Sequence, residues 1–343
     1  MLSATRARLL ELPKAELHVH LDGSLRPETM LELAEEREVP LPAEEPTTLA
    51  DYMRASDTAN LEEYLARFRL TLALMQDGPA VERIAYELAE DHVAEAVRYV
   101  EVRFCPGLHT EQGMHVEDAL DAALAGLARA ARDLDVRTGV IVCALRSLPA
   151  SASREMAELA VAHRDRGVCA FDLAGAEAGN PVSDHLDAID IAHGAGLPIT
   201  IHAGEGYGKA SIREALELGH ARRIGHGTRL YEDPELEARV REDRVPLEVC
   251  ITSNVQTRVV TAYEAHPVRR YFDERIPITL CTDNRLMSAV TLTDEYEHAR
   301  DALGFTWEEL VSVARAGFEC AFVGPEVRVD LLRRFDDGVA AIS

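Results

Sequence analysis

Eight short runs rich in β-branched and apolar residues punctuate this chain, and each is followed by a turn signal and a longer stretch of helical periodicity. They cover residues 16–21, 99–104, 137–145, 168–173, 198–202, 223–227, 246–251 and 277–282. The stretches between them, among them 116–132, 153–166, 182–193 and 211–218, carry apolar residues three and four positions apart. Strands that alternate with helices pair in parallel through right-handed crossovers. Eight such units predict a closed α/β barrel, the (β/α)8 TIM type, formed as one domain over residues 1–343. An open doubly wound sheet is the competing fold, but no glycine-rich phosphate loop follows the first strand.

The connection from the first strand to the second is far longer than one helix requires. Residues 27–96 therefore read as a helical insertion on the barrel rim, with breaks near Pro40, Pro42, Pro46 and Gly78. Within it Leu61, Tyr64, Leu65 and Phe68 share one helical face. Spacing alone makes that face core. Its departure from the C-terminal end of the first strand, where barrel enzymes keep their chemistry, makes it a candidate lid.

A formal net charge of −24 disfavours nucleic acid and anionic membranes as partners and leaves a small neutral or cationic substrate as the better match. No secretory signal is visible at the start of the chain. The six cysteines, Cys105, Cys143, Cys169, Cys250, Cys281 and Cys320, are widely spaced and mostly inside strand-like runs, as expected of buried thiols in a cytoplasmic protein.

The chemistry-bearing residues fall at strand ends. His18 and His20 alternate on the first strand and so face the same side. His202 ends the fifth, Glu205 follows it, His226 ends the sixth, and Asp283 with Asn284 ends the eighth. Any one of these histidines alone reads as a hydrogen-bonded structural residue. Together, three imidazoles and a carboxylate suit Zn²⁺, with Fe²⁺ or Mn²⁺ acceptable. An open position would activate water, and His226 and Glu205 stand on neighbouring strands as the proton-handling pair. Binuclear barrel hydrolases commonly bridge two metals with a modified lysine ending the fourth strand. Here that strand ends Asp172, Leu173, Ala174, Gly175, and the two lysines, Lys14 and Lys209, lie elsewhere, so one Zn²⁺ per chain is expected.

Segments 13–23 (PKAELHVHLDG), 172–175 (DLAG), 202–205 (HAGE), 223–228 (RIGHGT), 247–254 (LEVCITSN) and 282–283 (TD) resemble, in order and position, the signature set of the adenosine deaminase family. The resemblance spans nearly the whole chain. It implies His18, His20, His202 and Asp283 as zinc ligands and Glu205 as the acid that protonates a purine ring nitrogen. It further implies His226 as the residue that orients and deprotonates the attacking water. A ring nitrogen would meet the Gly175 backbone N–H, and Asp22 would hold a ribose 5′-hydroxyl. The face of Leu61, Tyr64, Leu65 and Phe68 matches the family's hydrophobic lid, and Ser253 is similar to a residue beside the metal-binding aspartate.

One position departs from the pattern. The family commonly has a second aspartate after the metal-binding one, where this chain has Asn284. An amide donates a hydrogen bond at every pH, whereas an aspartate must first be protonated. The expected reaction is zinc-dependent deamination of adenosine and 2′-deoxyadenosine, with a purine nucleoside as the small-molecule partner. Adenine or a larger derivative such as aminodeoxyfutalosine is the alternative substrate. A mononuclear hydrolase of cyclic amides and a non-catalytic nucleoside binder are the other readings of the same residues.

Overall fold

The structure, a computed structural model, describes residues 4–54 and 67–342. Eight parallel strands form one sheet in sequence order: β1 Lys14–His20, β2 Val97–Phe104, β3 Arg137–Leu145, β4 Val168–Ala174, β5 Ile199–Ala203, β6 Arg223–His226, β7 Leu247–Val249 and β8 Ile278–Leu280. The barrel closes beyond the end of β8. Asp283 bridges Val19, donates its N–H to the His18 carbonyl at 2.8 Å, and accepts from the His20 N–H at 2.8 Å. Every expected strand is present.

The last two strands are shorter than the apolar runs suggested. Residue 251 opens the helix Ile251–Gln256, because the Ile251 and Thr252 amides turn away to donate to the buried Glu295 carboxylate at 2.8 and 3.0 Å. A side chain from far along the chain thus captures N–H groups that a strand would have given to its neighbour.

The rim insertion contains helices Pro27–Arg37, Pro46–Met53, Phe68–Leu74 and Gly78–Val93. Pro46 takes the first helical position, where its missing N–H costs nothing, and Asp77 caps Gly78–Val93 by accepting from the Ala80 N–H at 2.9 Å. Both residues therefore start helices. Leu61, Tyr64 and Leu65 lie outside the described residues, while Phe68 begins Phe68–Leu74. Among the described residues no helix is long and apolar enough to cross a membrane.

The helices enclose the barrel in an apolar shell, but the space within the barrel is charged. Arg103 on β2 donates to Asp172 of β4 at 2.9 Å, to Glu248 of β7 at 2.8 Å and to the Leu17 carbonyl at 2.7 Å. Arg223 of β6 reaches Glu248 at 2.6 Å and Glu101 of β2. All five side chains are buried. Burial alone would raise the Glu248 pKa, yet Arg103, Arg223 and His18 hold it well below the usual carboxylate range. These cross-barrel ion pairs form a floor beneath the strand ends.

Candidate active site

Two of the site's side chains owe their direction to unusual backbone. His226 and Asp283, at the ends of β6 and β8, sit at φ 63° and 62°, a left-handed conformation that costs a non-glycine residue about 1–3 kcal/mol. The turn aims both side chains across the barrel mouth. Gly175, leaving β4 at φ 89°, adopts the same region without that cost.

His18, His202, His226 and Asp283 each present a ligand atom, all within 4.8 Å of one another, and all four are buried. His20 completes the group: its Nε2 lies 3.1 Å from the His202 Nε2 and 3.4 Å from Asp283 Oδ1. The second nitrogens of two rings are held by carboxylates from the charged floor. His18 Nδ1 meets Glu248 at 2.8 Å, and His202 Nδ1 meets Asp172 at 3.0 Å. This arrangement fixes ring orientation and leaves Nε2 as the free lone pair, as in metal-bound histidines. Ser253 donates to Asp283 Oδ2 at 2.6 Å.

The donor set fits one divalent cation. His18 Nε2 is fully buried and finds no hydrogen-bond partner among the described residues. Two Nε2 atoms facing each other at 3.1 Å, with an ionised carboxylate beside them, form a converging array of lone pairs that a cation stabilises. Burial, Asp283 and Glu177 push the Glu205 pKa well above the usual carboxylate range, which favours its protonated form. Its Oε2 is 3.6 Å from His226 Nε2. Burial likewise raises the Asp22 pKa to about 7.

Beside the metal-binding group lies a cavity of about 250 Å³, bounded by His20, Asp22, Gly175, Glu205, His226, Asp283 and Asn284. Phe68 and Leu72 of the insertion close one side, with Leu108 from the loop after β2 and Leu145 at the end of β3. Asp22 Oδ1 and Asn284 Oδ1 are buried with no hydrogen-bond partner among the described residues. Gly23 makes room for Asn284, since a Cβ there would fall 1.9 Å from Asn284 Oδ1.

Sequence reasoning missed the carboxylates that support this site. Glu177 accepts from the Gly204, Glu205 and Gly206 N–H groups at 2.9, 2.8 and 2.7 Å and so clamps the loop that carries Glu205. Asp172, Glu248 and Asn254 stood inside quoted segments without a role. Their signal was a polar side chain in a run otherwise fit for a barrel core.

Comparison with known proteins adds a family-scale finding. A family profile described as "Adenosine deaminase" matches residues 13–338. The adenosine deaminase of Clostridium acetobutylicum is 40% identical over 332 residues, covering 96% of this chain and 99% of the relative. Among solved structures, an adenine deaminase from Arthrobacter aurescens aligns with a TM-score of 0.89 at 28% identity, covering 96% and 99% of the two chains. An N6-methyl-AMP deaminase from Arabidopsis thaliana aligns with a TM-score of 0.84 at 29% identity, covering 97% and 98%.

Proposed function

The chain belongs to the adenosine deaminase family, and on that premise we propose that it removes the exocyclic amine from carbon six of adenosine and 2′-deoxyadenosine, yielding inosine or deoxyinosine and ammonia. One observation carries the reading: Glu205, a carboxyl group whose burial favours the protonated form, faces a small cavity beside a histidine and aspartate cluster suited to a single zinc ion.

His18, His20, His202 and Asp283 would hold the zinc, with Ser253 steadying the aspartate. Bound there, zinc supplies the chemistry of polarising the attacking water and lowering its pKa toward ~7. The protein's own groups do the rest. Attack on the purine pushes negative charge into the ring, and Glu205 stabilises that charge by giving its proton to the ring nitrogen beside the attacked carbon. His226, across the pocket, orients the water. The Gly175 N–H and Asn284 fix the purine edge, Asp22 takes the ribose 5′-hydroxyl, and Phe68 and Leu72 give the cavity an apolar side that excludes water. Six unpaired thiols, four of them buried, suit a reducing cytoplasm.

A second reading keeps the chemistry and changes the substrate. Asn284 supports it, as do structural relatives described as acting on adenine and on N6-methyl-AMP. The unpartnered Asp22 Oδ1 favours a sugar-bearing substrate over the free base. The test is ammonia release from adenosine, deoxyadenosine, adenine and larger adenosine derivatives, before and after chelation. Metal-dependent turnover fastest on the nucleosides is expected. Silence on all of them by zinc-loaded protein would overturn the reading.

A further inference from the structure

Of the four histidines at the mouth, His226 is held differently. The Nδ1 atoms of His18 and His202 face carboxylates, which only accept, so both carry their proton on Nδ1. His226 Nδ1 instead faces the side-chain amide of Asn254, 3.0 Å from Nδ2. Which end of that amide points at His226 follows from a chain of contacts that begins on the backbone. The Val268 N–H, which can only donate, meets His266 Nδ1 at 3.1 Å. His266 therefore carries its proton on Nε2 and gives it to Asn254 Oδ1 at 3.1 Å, where the Thr228 hydroxyl also donates at 2.7 Å. A flipped amide would set its N–H against the His266 N–H. Asn254 Nδ2 must therefore donate to His226 Nδ1.

We infer that Asn254 and His266 are positioning residues that lock the proton of His226 onto Nε2. In that tautomer His226 stands apart from the zinc ligands and enters the reaction as a hydrogen-bond donor. The inference rests on the proposed reaction and deepens it. Asn254, His266, His226 and Thr228 are 0–4% exposed, so bulk solvent does not compete for the contacts of the relay. Burial drives the His266 pKa down to about 3, which keeps that ring neutral through the working range. His226 lies within ligand distance of the metal cluster, but a ligating ring needs a bare Nε2, which the carboxylates on Nδ1 give to His18 and His202 and which the relay denies to His226. The expected role of His226 as the base that strips the water's proton gives way to one of orienting that water through Nε2–H.

The replacement Asn254→Asp tests this with almost no change in size. Its oxygen still accepts from Thr228 and His266, but the atom facing His226 can no longer donate, so the proton moves to Nδ1. Imidazole ¹⁵N shifts of histidine-labelled protein, zinc-loaded and zinc-free, should show His226 with a bare Nδ1 in the wild type and a protonated Nδ1 in the variant. In the zinc-loaded variant kcat should fall by ~10²–10⁴, the scale of a wrong catalytic tautomer in other enzymes, with KM within about threefold of the wild type. His266→Gln, whose amide can still donate to Asn254, should keep the wild-type pattern at His226. A protonated Nδ1 in the wild type overturns the inference even if Asn254→Asp does not fold, and so does an unchanged pattern in a folded Asn254→Asp. Should the wild type deaminate no purine, the reaction fails while the spectra still decide the tautomer.

Discussion

Two layers of buried charge lie one above the other in this barrel, and they follow opposite rules. In the floor, Glu101, Asp172 and Glu248 are all ion-paired to Arg103 or Arg223 across strands as far apart as β2 and β7, and among these five side chains only Arg103 Nε lacks a hydrogen-bond partner among the described residues. At the mouth, His18 Nε2, Asp22 Oδ1 and Asn284 Oδ1 are buried without hydrogen-bond partners among the described residues, and two residues hold strained backbone. Satisfied buried charge fixes geometry, whereas unsatisfied buried polarity is free energy held for a ligand. The difference predicts that mutations above the floor cost turnover and mutations within it cost stability.

The sharpest attempt to break that division is Glu205→Gln. The amide can donate a hydrogen bond to the ring nitrogen but cannot deliver a proton, so kcat should fall by ~10⁴ with thermal stability unchanged or raised. Steady-state kinetics and a melting curve on one preparation suffice. A residual rate within tenfold of the wild type would move the acid elsewhere.

Glu248→Gln makes the reciprocal test in the floor. The change leaves Arg103 and Arg223 short of an ionised partner, and losing one side of a buried ion pair costs about 3–5 kcal/mol. Because Glu248 also orients His18, zinc affinity should drop ~10–100-fold. Denaturant melts and competition with a chelator read the two effects separately. Weakened zinc binding without lost stability would erase the distinction between the layers.

A milder test uses the charged clasp outside the barrel. Burial opposes ionisation of Glu95, but Arg285, 2.7 Å away, and His92 outweigh it and hold its pKa at about 2. The folded value lies below the unfolded one, near 4.5, so the stabilisation is fully present above pH ~4.5 and disappears as pH falls through about 2. Glu95→Gln should therefore melt well below the wild type at pH 6, by about 2–3 kcal/mol, with the gap closing toward pH 2. A gap independent of pH would mean that packing, not charge, does the work there.

How much of this was legible in the sequence follows the same division. The mouth was readable because barrel topology forces chemistry to strand ends, so His18, His20, His202, Glu205, His226 and Asp283 were identifiable before any contact was seen. The floor was not. His18 and Glu248 are 230 residues apart and Arg223 and Glu101 are 122 apart, so no local spacing joins them. Arg103, Asp172 and Glu248 were visible only as charges misplaced in apolar runs. The early end of β7 was hidden for the same reason, since Glu295 acts from 43 and 44 residues away.

The smallest expected effect concerns the residue where sequence and family part. Asn284 is 3% exposed and borders the cavity with Asp22, Asp283 and Glu205. Its amide is able to donate to a purine nitrogen at any pH, as the proposed reaction requires, whereas an aspartate there must first take up a proton. Burial and three neighbouring carboxyl groups would raise that aspartate's pKa, so Asn284→Asp should approach wild-type activity near pH 6. As pH rises through the aspartate's raised pKa, the carboxylate loses the donor and repels the ring nitrogen. The ratio of variant to wild-type kcat/KM should then fall by about tenfold, the worth of one hydrogen bond of ~1.4 kcal/mol. A flat ratio across pH would mean that Asn284 does not donate to the substrate, and that the unpartnered polarity of the mouth there serves another purpose.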